Sequence, residues 1–587
     1  MEDEPDSLPP ISEPGSDGSG SLESGWTAGS AQPEPTPGRT KWVKRLLVII
    51  VALVVTGGIA AGAIIFLALR GTEDVIDRMV PGNTTVYVTA YLDPALQQKL
   101  NLRSLSKRFP KFASSQELNR RIDDALNDGL RDLGLNSADV RPWLGTQMAA
   151  LVSVDGDQSM EAFLIASKDE AAATVALAKI RTGPEGSAAA WKEQEHEGVT
   201  ISVGSVADGP DMVYALVDHV VVLATDAAIV EEVIDTAAGK ISSLRESADF
   251  AATQGPLPKE RVALAYVNIR PLVEKFKQSL TEGGEFDLSQ VSSSFGQLDA
   301  LTGLGATLSA EPTGIALDLN VGVDATKLTG EQKELLTEAP HENSVLSFTP
   351  KDAYGVFALT GLRQTMQSAL DELAKDESFA DLDQELGLTE MVGHLTGDYG
   401  LEAAPAAGPI YAGEALLVGT DDDAGMQAFL DGLASRAAEE LEAAFPEAPF
   451  LEFERKSYKG VTITYLPVEE LREFGVAPAY AVSEGMTIIA SSPDQVQAIL
   501  DSRASGDSIA FSQSFIDALG PGGTSNNGML YIDIEAVVGA YRNTLDEDGR
   551  AQFDVDDAPD LAPLRAFAFT STNGANRTSV RWFLLIR

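Results

Sequence analysis

The chain has 587 residues, 88 acidic against 43 basic, a net charge of −45 and no cysteine. That balance excludes nucleic acid as a partner, because neutralising phosphates takes clustered Lys and Arg, and it disfavours docking on anionic lipid head groups. Without cysteine there are no disulfides, thiolate metal sites or cysteine nucleophiles.

Residues 1–38 contain neither Lys nor Arg and are mostly Pro, Gly, Ser and acidic residues. So little apolar surface cannot offset chain entropy, so residues 1–40 are expected to be a disordered, solvating tail. From Leu46 to Leu69 run 24 residues without a charge. At about 1.5 Å per residue the run reaches roughly 36 Å, enough to cross a hydrocarbon core of about 30 Å. A transmembrane helix with its basic flank is therefore expected over 41–70. It is too long and lies too far from the N-terminus for a cleaved signal peptide. Arg39, Lys41, Lys44 and Arg45 precede the run, whereas Arg70 and Arg78 after it are mixed with Glu73, Asp74 and Asp77. The basic side stays in the cytoplasm. This predicts a single-pass protein of the cell membrane, with its tail inside and its large C-terminal region extracytoplasmic. Gly58 and Gly62 form a G-x-x-x-G that lets two such helices approach closely, a candidate homodimer contact.

Residues 71–79 read as a juxtamembrane linker and the remainder as two tandem copies, 80–330 and 340–587. Gly198-Val199-Thr200-Ile201 returns as Gly460-Val461-Thr462-Ile463. In the same order, Glu161-Ala162-Phe163-Leu164 matches Glu414-Ala415-Leu416-Leu417, and Tyr214-Ala215-Leu216-Val217 matches Tyr480-Ala481-Val482-Ser483. Tyr266-Val267-Asn268-Ile269 then matches Tyr531-Ile532-Asp533-Ile534, and the closing strand pairs around 304–323 and 566–586 correspond. Collinear matches of this kind indicate an internal repeat. Thr85 to Tyr91 alternates and is β-branched, a strand. Asp93 is a good N-cap and Pro94 a good first residue for a helix carrying Leu96, Leu100, Leu102 and Leu105. The same succession of strand, cap and helix recurs at Asn268, Thr360 and Asp533. Runs 212–217 and 220–224 around Asp218-His219 read as a hairpin. The expected class is α+β: in each copy a largely antiparallel sheet covered by helices, behind the N-terminal transmembrane helix.

Val80-Pro81-Gly82-Asn83, Val86-Tyr87-Val88, Leu92-Asp93-Pro94, Gln97-Gln98 and Phe109-Pro110 together resemble the bacterial envelope family known as domain of unknown function 3352. That family's layout is similar: a polar tail, one membrane span and a long outer region. The resemblance covers the chain from about residue 40 onward, and its motifs are structural rather than chemical. It implies no activity, ligand or catalytic residue.

Chemistry is sparse. His196, His219, His341 and His394 show no metal-ligand spacing, so no zinc set is expected. The chain has no G-x-S-x-G elbow, P-loop or strand-linked G-x-G-x-x-G; Gly303 and Gly305 give a G-x-G alone and read as a turn. Asp421-Asp422-Asp423, like Lys168-Asp169-Glu170, Asp226 and Pro493-Asp494, falls between a strand and a helix and reads as capping. In the acidic stretch 546–560, Asp546, Asp548, Asp554 and Asp556 are the metal candidates, since calcium takes hard oxygen ligands. The spacing departs from that of an EF-hand, so a solvated loop is expected there, with no cofactor and no catalytic residue assigned. Asn83-Thr84-Thr85 and Asn576-Arg577-Thr578 match the N-glycosylation pattern, read as coincidence.

The expected function is a non-enzymatic binding or organising module at the cell envelope, with an unknown envelope ligand or protein as partner. Duplicated units create a groove between copies where a ligand can sit. The alternatives are a carboxylate-dependent hydrolase, which needs two carboxyl groups about 5 to 9 Å apart in one cleft, and an apolar-ligand (lipid) carrier, which needs a lined tunnel.

Overall fold

A computed structural model describes residues 74–110, 115–155, 158–206, 211–282, 298–376, 379–406, 412–444, 452–467 and 475–587. The tail, the expected span from Leu46 to Leu69 with Gly58 and Gly62, and the start of the linker lie outside the described residues. Among those described, no helix is long and apolar enough to cross a membrane.

The N-terminal half runs, in chain order, β1 (Val86–Tyr91), α1 (Leu96–Ser106), α2 (Ser115–Leu130), α3 (Ser137–Val140), β2 (Leu144–Asp155), β3 (Gln158–Ser167) and α4 (Glu170–Ile180). There follow β4 (Ala190–His196), β5 (Val199–Ser205), β6 (Met212–Val217), β7 (Val220–Ala224), α5 (Ala227–Ala237) and α6 (Ala248–Gln254). β8 (Ala263–Val267), α7 (Ile269–Glu282), β9 (Leu301–Glu311) and β10 (Gly314–Val323) close it. After α8 (Gly330–Thr337) and the short β11 (His341–Glu342) come β12 (Gly355–Leu359), α9 (Leu362–Leu373), α10 (Phe379–Leu386), α11 (Leu388–Gly393), β13 (Leu395–Pro405) and β14 (Ala412–Thr420). Next are α12 (Asp423–Ala444), β15 (Glu454–Tyr458), β16 (Val461–Tyr465), β17 (Ala479–Ser483), β18 (Met486–Ala490), α13 (Pro493–Ser505) and α14 (Gln513–Leu519). The chain ends with β19 (Ser525–Asn526), β20 (Gly528–Asp533), α15 (Ile534–Thr544), α16 (Glu547–Asp556), α17 (Ala558–Leu561), β21 (Leu564–Gly574) and β22 (Arg577–Ile586).

Two-residue turns with both residues at positive φ match the right-handed twist of hairpin strands. They join β4 to β5 at Glu197-Gly198 (φ 50° and 80°) and β15 to β16 at Lys459-Gly460 (φ 48° and 86°). The β6–β7 turn at Asp218-His219 and the β17–β18 turn at Glu484-Gly485 have the same form. All the strand pairs are antiparallel, and the order across the N-terminal half is β4-β5-β6-β7-β3-β2-β1-β8-β9-β10. β10 then pairs with β22, and the order continues β22-β21-β20-β12-β13-β14-β18-β17-β16-β15. The expectation of a separate sheet in each copy is thus corrected. Both halves share one sheet of twenty strands, because β10 and β22 would otherwise be bare edges.

One face is covered by α5 and α6 in the N-terminal half, where Ile229, Val230, Val233, Ile234 and Phe250 pack on Tyr87, Leu164, Val222 and Tyr266. In the C-terminal half Val496, Ile499, Leu500 and Phe515 of α13 and α14 pack on Leu417, Ile488 and Tyr531. Phe250 stacks edge-on against Tyr266 at 5.1 Å, and Phe515 against Tyr531 at 5.1 Å. On the opposite face α2, α3 and α4 cover Met148, Phe163, Ile165 and Leu223. There α9 to α12 cover Leu395, Val418 and Val482, and α1 packs beside the β10–β22 seam on Leu308, Ile315, Leu564 and Leu584.

Several local expectations are corrected. Residues 74–79 are no free linker, since Ile76 and Met79 are core residues at 0% and 1% exposure. Asp93 does not cap α1, whose N-cap is Ala95; its carboxylate pairs with Lys99 instead. Of the four leucines read as the face of α1, Leu102 and Leu105 are buried, but Leu96 and Leu100 are exposed. Thr360 gives way to Gly361, at φ 81°, as the residue before α9. Gly303 and Gly305 lie inside β9, where a Cβ would stand 3.0 Å from Thr253 and 2.8 Å from the Thr253 methyl respectively; they admit α6, not a turn.

Candidate functional site

β10 and β22 meet with Asp318 directly opposite Arg581, Ala316 opposite Phe583 and Asn320 opposite Ser579. These side chains occupy the face beneath α6 and α14, where Asn320 Nδ2 donates to the Thr253 carbonyl at 3.0 Å. Between the seam and the end of α14 is a cleft of about 350 Å³, lined by Glu311, Arg581 and Phe583 from the strands, by Thr313 from the β9–β10 turn and by residues 516–521. Gly314 makes room for it. A Cβ there would run into the Leu584 carbonyl and lie 2.7 Å from the Phe583 ring, so no larger residue leaves that ring in place.

The charges in the cleft are mutually engaged. Arg581 Nη1 donates to both Asp318 oxygens at 2.9 and 3.2 Å, and its Nη2 donates to Glu311. Its guanidinium also lies 5.4 Å from the centre of the Phe583 ring. Burial disfavours the Arg581 charge, yet the hydrogen bond to Glu311 and the two carboxylates outweigh it and hold its pKa above the usual arginine value. Burial, with Glu311 adding to it, raises the Asp318 carboxyl above its ordinary range, and Arg581 offsets only part of that. Two contacts to one nitrogen nonetheless make this the geometry of an ion pair. Arg587 pairs with Asp517 on the α14 side. Ile516, Leu519 and Phe583 supply the apolar wall.

Two further polar groups stand out. The Asp74 carboxylate accepts from the Ile76 and Asp77 amides at 3.1 and 3.0 Å, from the Tyr87 and Tyr91 hydroxyls at 3.2 and 3.0 Å, and from Gln147 Nε2 at 2.6 Å. Beside it, burial and the Asp74 charge push Asp77 up to about 6 despite its bond to Arg245. In the C-terminal half Glu402 is 3% exposed in the core, where Gln495 Nε2 donates to its Oε1 at 2.5 Å and its Oε2 has no partner among the described residues. Burial drives its pKa up to about 8. A second cleft, of about 510 Å³, lies where Arg78 and Met79 meet the loop after α5 (239–246), and Thr236 and Asp218 complete its polar wall.

The structure disperses the residues that the sequence singled out. The four histidines are each set against a different carboxylate: His196 with Asp235 (2.9 Å), His219 with Glu170 (2.7 Å), His341 with Asp398 (2.8 Å) and His394 with Asp421 (2.9 Å). Asp546, Asp548, Asp554 and Asp556 do not lie on a solvated loop. Asp546 caps α16 by accepting from the Gly549 amide, the other three are on that helix, and Asp554 holds Arg542 by two bonds of 2.6 Å. Among the described residues no group of three or more His, Asp or Glu could hold a metal ion. Asp422 caps α12 at Gly425, Asp169 caps α4 and Asp226 caps α5, whereas Ser492, not Asp494, caps α13. Sequence reasoning missed Asp74, Glu311, Asp318, Glu402 and Arg581. The one trace of the seam was the run Ile315-Ala316-Leu317-Asp318-Leu319-Asn320-Val321, in which apolar and small or polar residues alternate, the latter on the covered face.

A family model described as a protein of unknown function, DUF3352, matches residues 47–585. No curated protein matches the chain. Among solved structures, crystal form III of TP0453 is similar at 14% identity over 41% of this chain and 92% of that one, with a TM-score of 0.21. Crystal form IV of TP0453 is similar at 9% identity over 42% of this chain and 79% of that one, also at 0.21. Likeness at that level carries no argument.

Proposed function

The chain belongs to the family of unknown function DUF3352, which brings no activity with it, and on that premise we propose a non-enzymatic module, anchored in the cell membrane by one span, that binds or organises an envelope component. The tail lies in the cytoplasm and the region after the span outside it, as the Lys and Arg before Leu46 favour. The two halves are tandem copies of one α+β unit. In support, the strand order reads alike from both ends of the sheet, the Phe250–Tyr266 and Phe515–Tyr531 stacks correspond, and so do the isolated bridges Pro81–Ser243 and Pro350–Ser508.

The observation that carries binding over turnover is the cleft at the seam. Its carboxylates, Glu311 and Asp517, are engaged by Arg581 and Arg587, and the neighbouring Asp318 is engaged by Arg581 as well, so none is free to act as acid or nucleophile. Its apolar wall and hydrogen-bonding floor suit a small ligand with an apolar body and one polar group. The test is titration of the full-length protein in nanodiscs with envelope glycan fragments and with acyl-chain lipids. Binding by the parent and its loss in Leu519→Trp, which fills the cleft, is the expected result. Turnover of any of these compounds, abolished by Glu311→Gln, would refute the reading. Protease added to intact cells should digest the chain beyond residue 70 and spare the tail; the reverse pattern overturns the topology.

A further inference from the structure

The register of the seam holds more than the pairing of two edges. A straight line of directly opposed residues crosses the sheet as Thr89, Leu264, Thr307, Asp318, Arg581, Thr570, Met529 and Ala358. Beyond Thr89 it continues through Ala149 and Leu164, and beyond Ala358 through Gly400 and Leu417. Strand by strand the line reads alike from both ends, so Thr307 matches Thr570 and Asp318 matches Arg581. Two matched positions that face each other directly lie on the local two-fold axis of an antiparallel pair. In a symmetric assembly such a position faces itself.

An axial residue therefore discriminates between partners. Two N-terminal halves joined by this edge would bring Asp318 against Asp318, with both copies of Glu311 nearby and no cation. Two C-terminal halves would bring Arg581 against Arg581, with no acid from the seam, since Gly574 stands where Glu311 does in the other hairpin. Only one half of each kind gives the observed set, in which Arg581 holds both Asp318 and Glu311. Like charges directly opposite across a sheet are destabilising, and repulsive elements of this sort set specificity.

We propose that the β10 and β22 edges are versions of one self-complementary pairing surface whose partner is the same edge of a second half, and that the Asp318–Arg581 charge pair on its axis restricts pairing to unlike halves. It thereby keeps the seam closed within one chain against like-with-like joining between chains.

Complementary reversals test it on the full-length protein refolded in detergent micelles. An Asp318→Arg chain carries Arg at both axial positions, and an Arg581→Asp chain carries Asp at both. Refolded alone, each has like charges at its own seam. Refolded together, each half of one chain finds its opposite on the other, giving a mixed dimer with two seams. With differently tagged chains and light scattering after size exclusion, the mixed dimer should be the main folded species, well above tag exchange in a wild-type mixture. The double reversal Asp318→Arg/Arg581→Asp should refold as the wild type does and melt above both single variants; it keeps the test readable if neither single variant folds alone. Mixed dimers no more abundant than in the wild-type mixture, or a double reversal that melts no higher than the weaker single variant, would overturn the proposal.

Discussion

Glu402→Gln should make the protein more stable above neutrality while leaving it nearly unchanged in acid. Glu402 sits on β13 beneath α13, with Gln495 as its partner and, among the described residues, none for Oε2, and its pKa is about 8 against an ordinary 4.5. The folded state thus holds a proton that the unfolded chain has released. The sign follows directly: stability is greatest below the unfolded value of 4.5, falls as the pH rises, and levels off above the folded value of about 8. The gap of 3.5 units between those two values corresponds to about 5 kcal/mol, of which about 3 kcal/mol is already lost at about pH 7. Gln cannot ionise, and its Oε1 can still accept from Gln495. Its amide nitrogen replaces a protonated oxygen in the same dry position, so in acid the variant should lie within about 1 kcal/mol of the parent. Urea midpoints of both proteins between about pH 4.5 and pH 9 measure the difference. Parallel curves, with no gap opening across that range, would refute the account of a carboxyl buried without a counter-charge.

Asp74→Asn removes the charge from a carboxylate that accepts from five donor groups, and should destabilise by about 3 kcal/mol and speed amide exchange over residues 74–80. Gly314→Ala drives a methyl into the Leu584 carbonyl and the Phe583 ring, and should lower the melting temperature by an amount corresponding to about 1–3 kcal/mol. For His341, burial opposes the charge but the bond to Asp398 outweighs it and the pKa is raised. Its contribution is therefore present below the ordinary imidazole value of 6.5 and lost as the pH rises through the folded value. His341→Gln should flatten the stability profile in that window, and an unchanged profile counts against the pairing.

What could be read from the sequence was local. Alternation and β-branching marked Val86–Tyr91 as a strand, and Asp218-His219 between two apolar runs marked a tight hairpin, whose turn has both residues at positive φ. Asp169 and Asp226 announced helices through the amides they cap. The acidic stretch from Asp546 misled because charge density says nothing of backbone once a cap and a helix can form. Asp93 misled because Lys99, a turn away, competes for its carboxylate. Glycines inside β9 were taken for a turn since their partner, Thr253 on α6, lies far back in the chain. The seam is the extreme case. Asp318 and Arg581 find each other only after both halves have formed, and no property of either neighbourhood points to the other. The Glu402 site is equally silent, since one acid in Leu401-Glu402-Ala403 could as well have faced water.

Joining the halves consumes one border of each, and leaves β4 and β15 as the outermost strands. These carry Lys192, Glu193 and Glu195 on one side and Glu454, Arg455 and Lys456 on the other. A stranger's backbone approaching either rim meets a picket of ions instead of a flat, greasy template. So large a sheet would otherwise invite stacking into fibres; with its middle stitched shut and its rims armed, it can be packed densely without recruiting its neighbours.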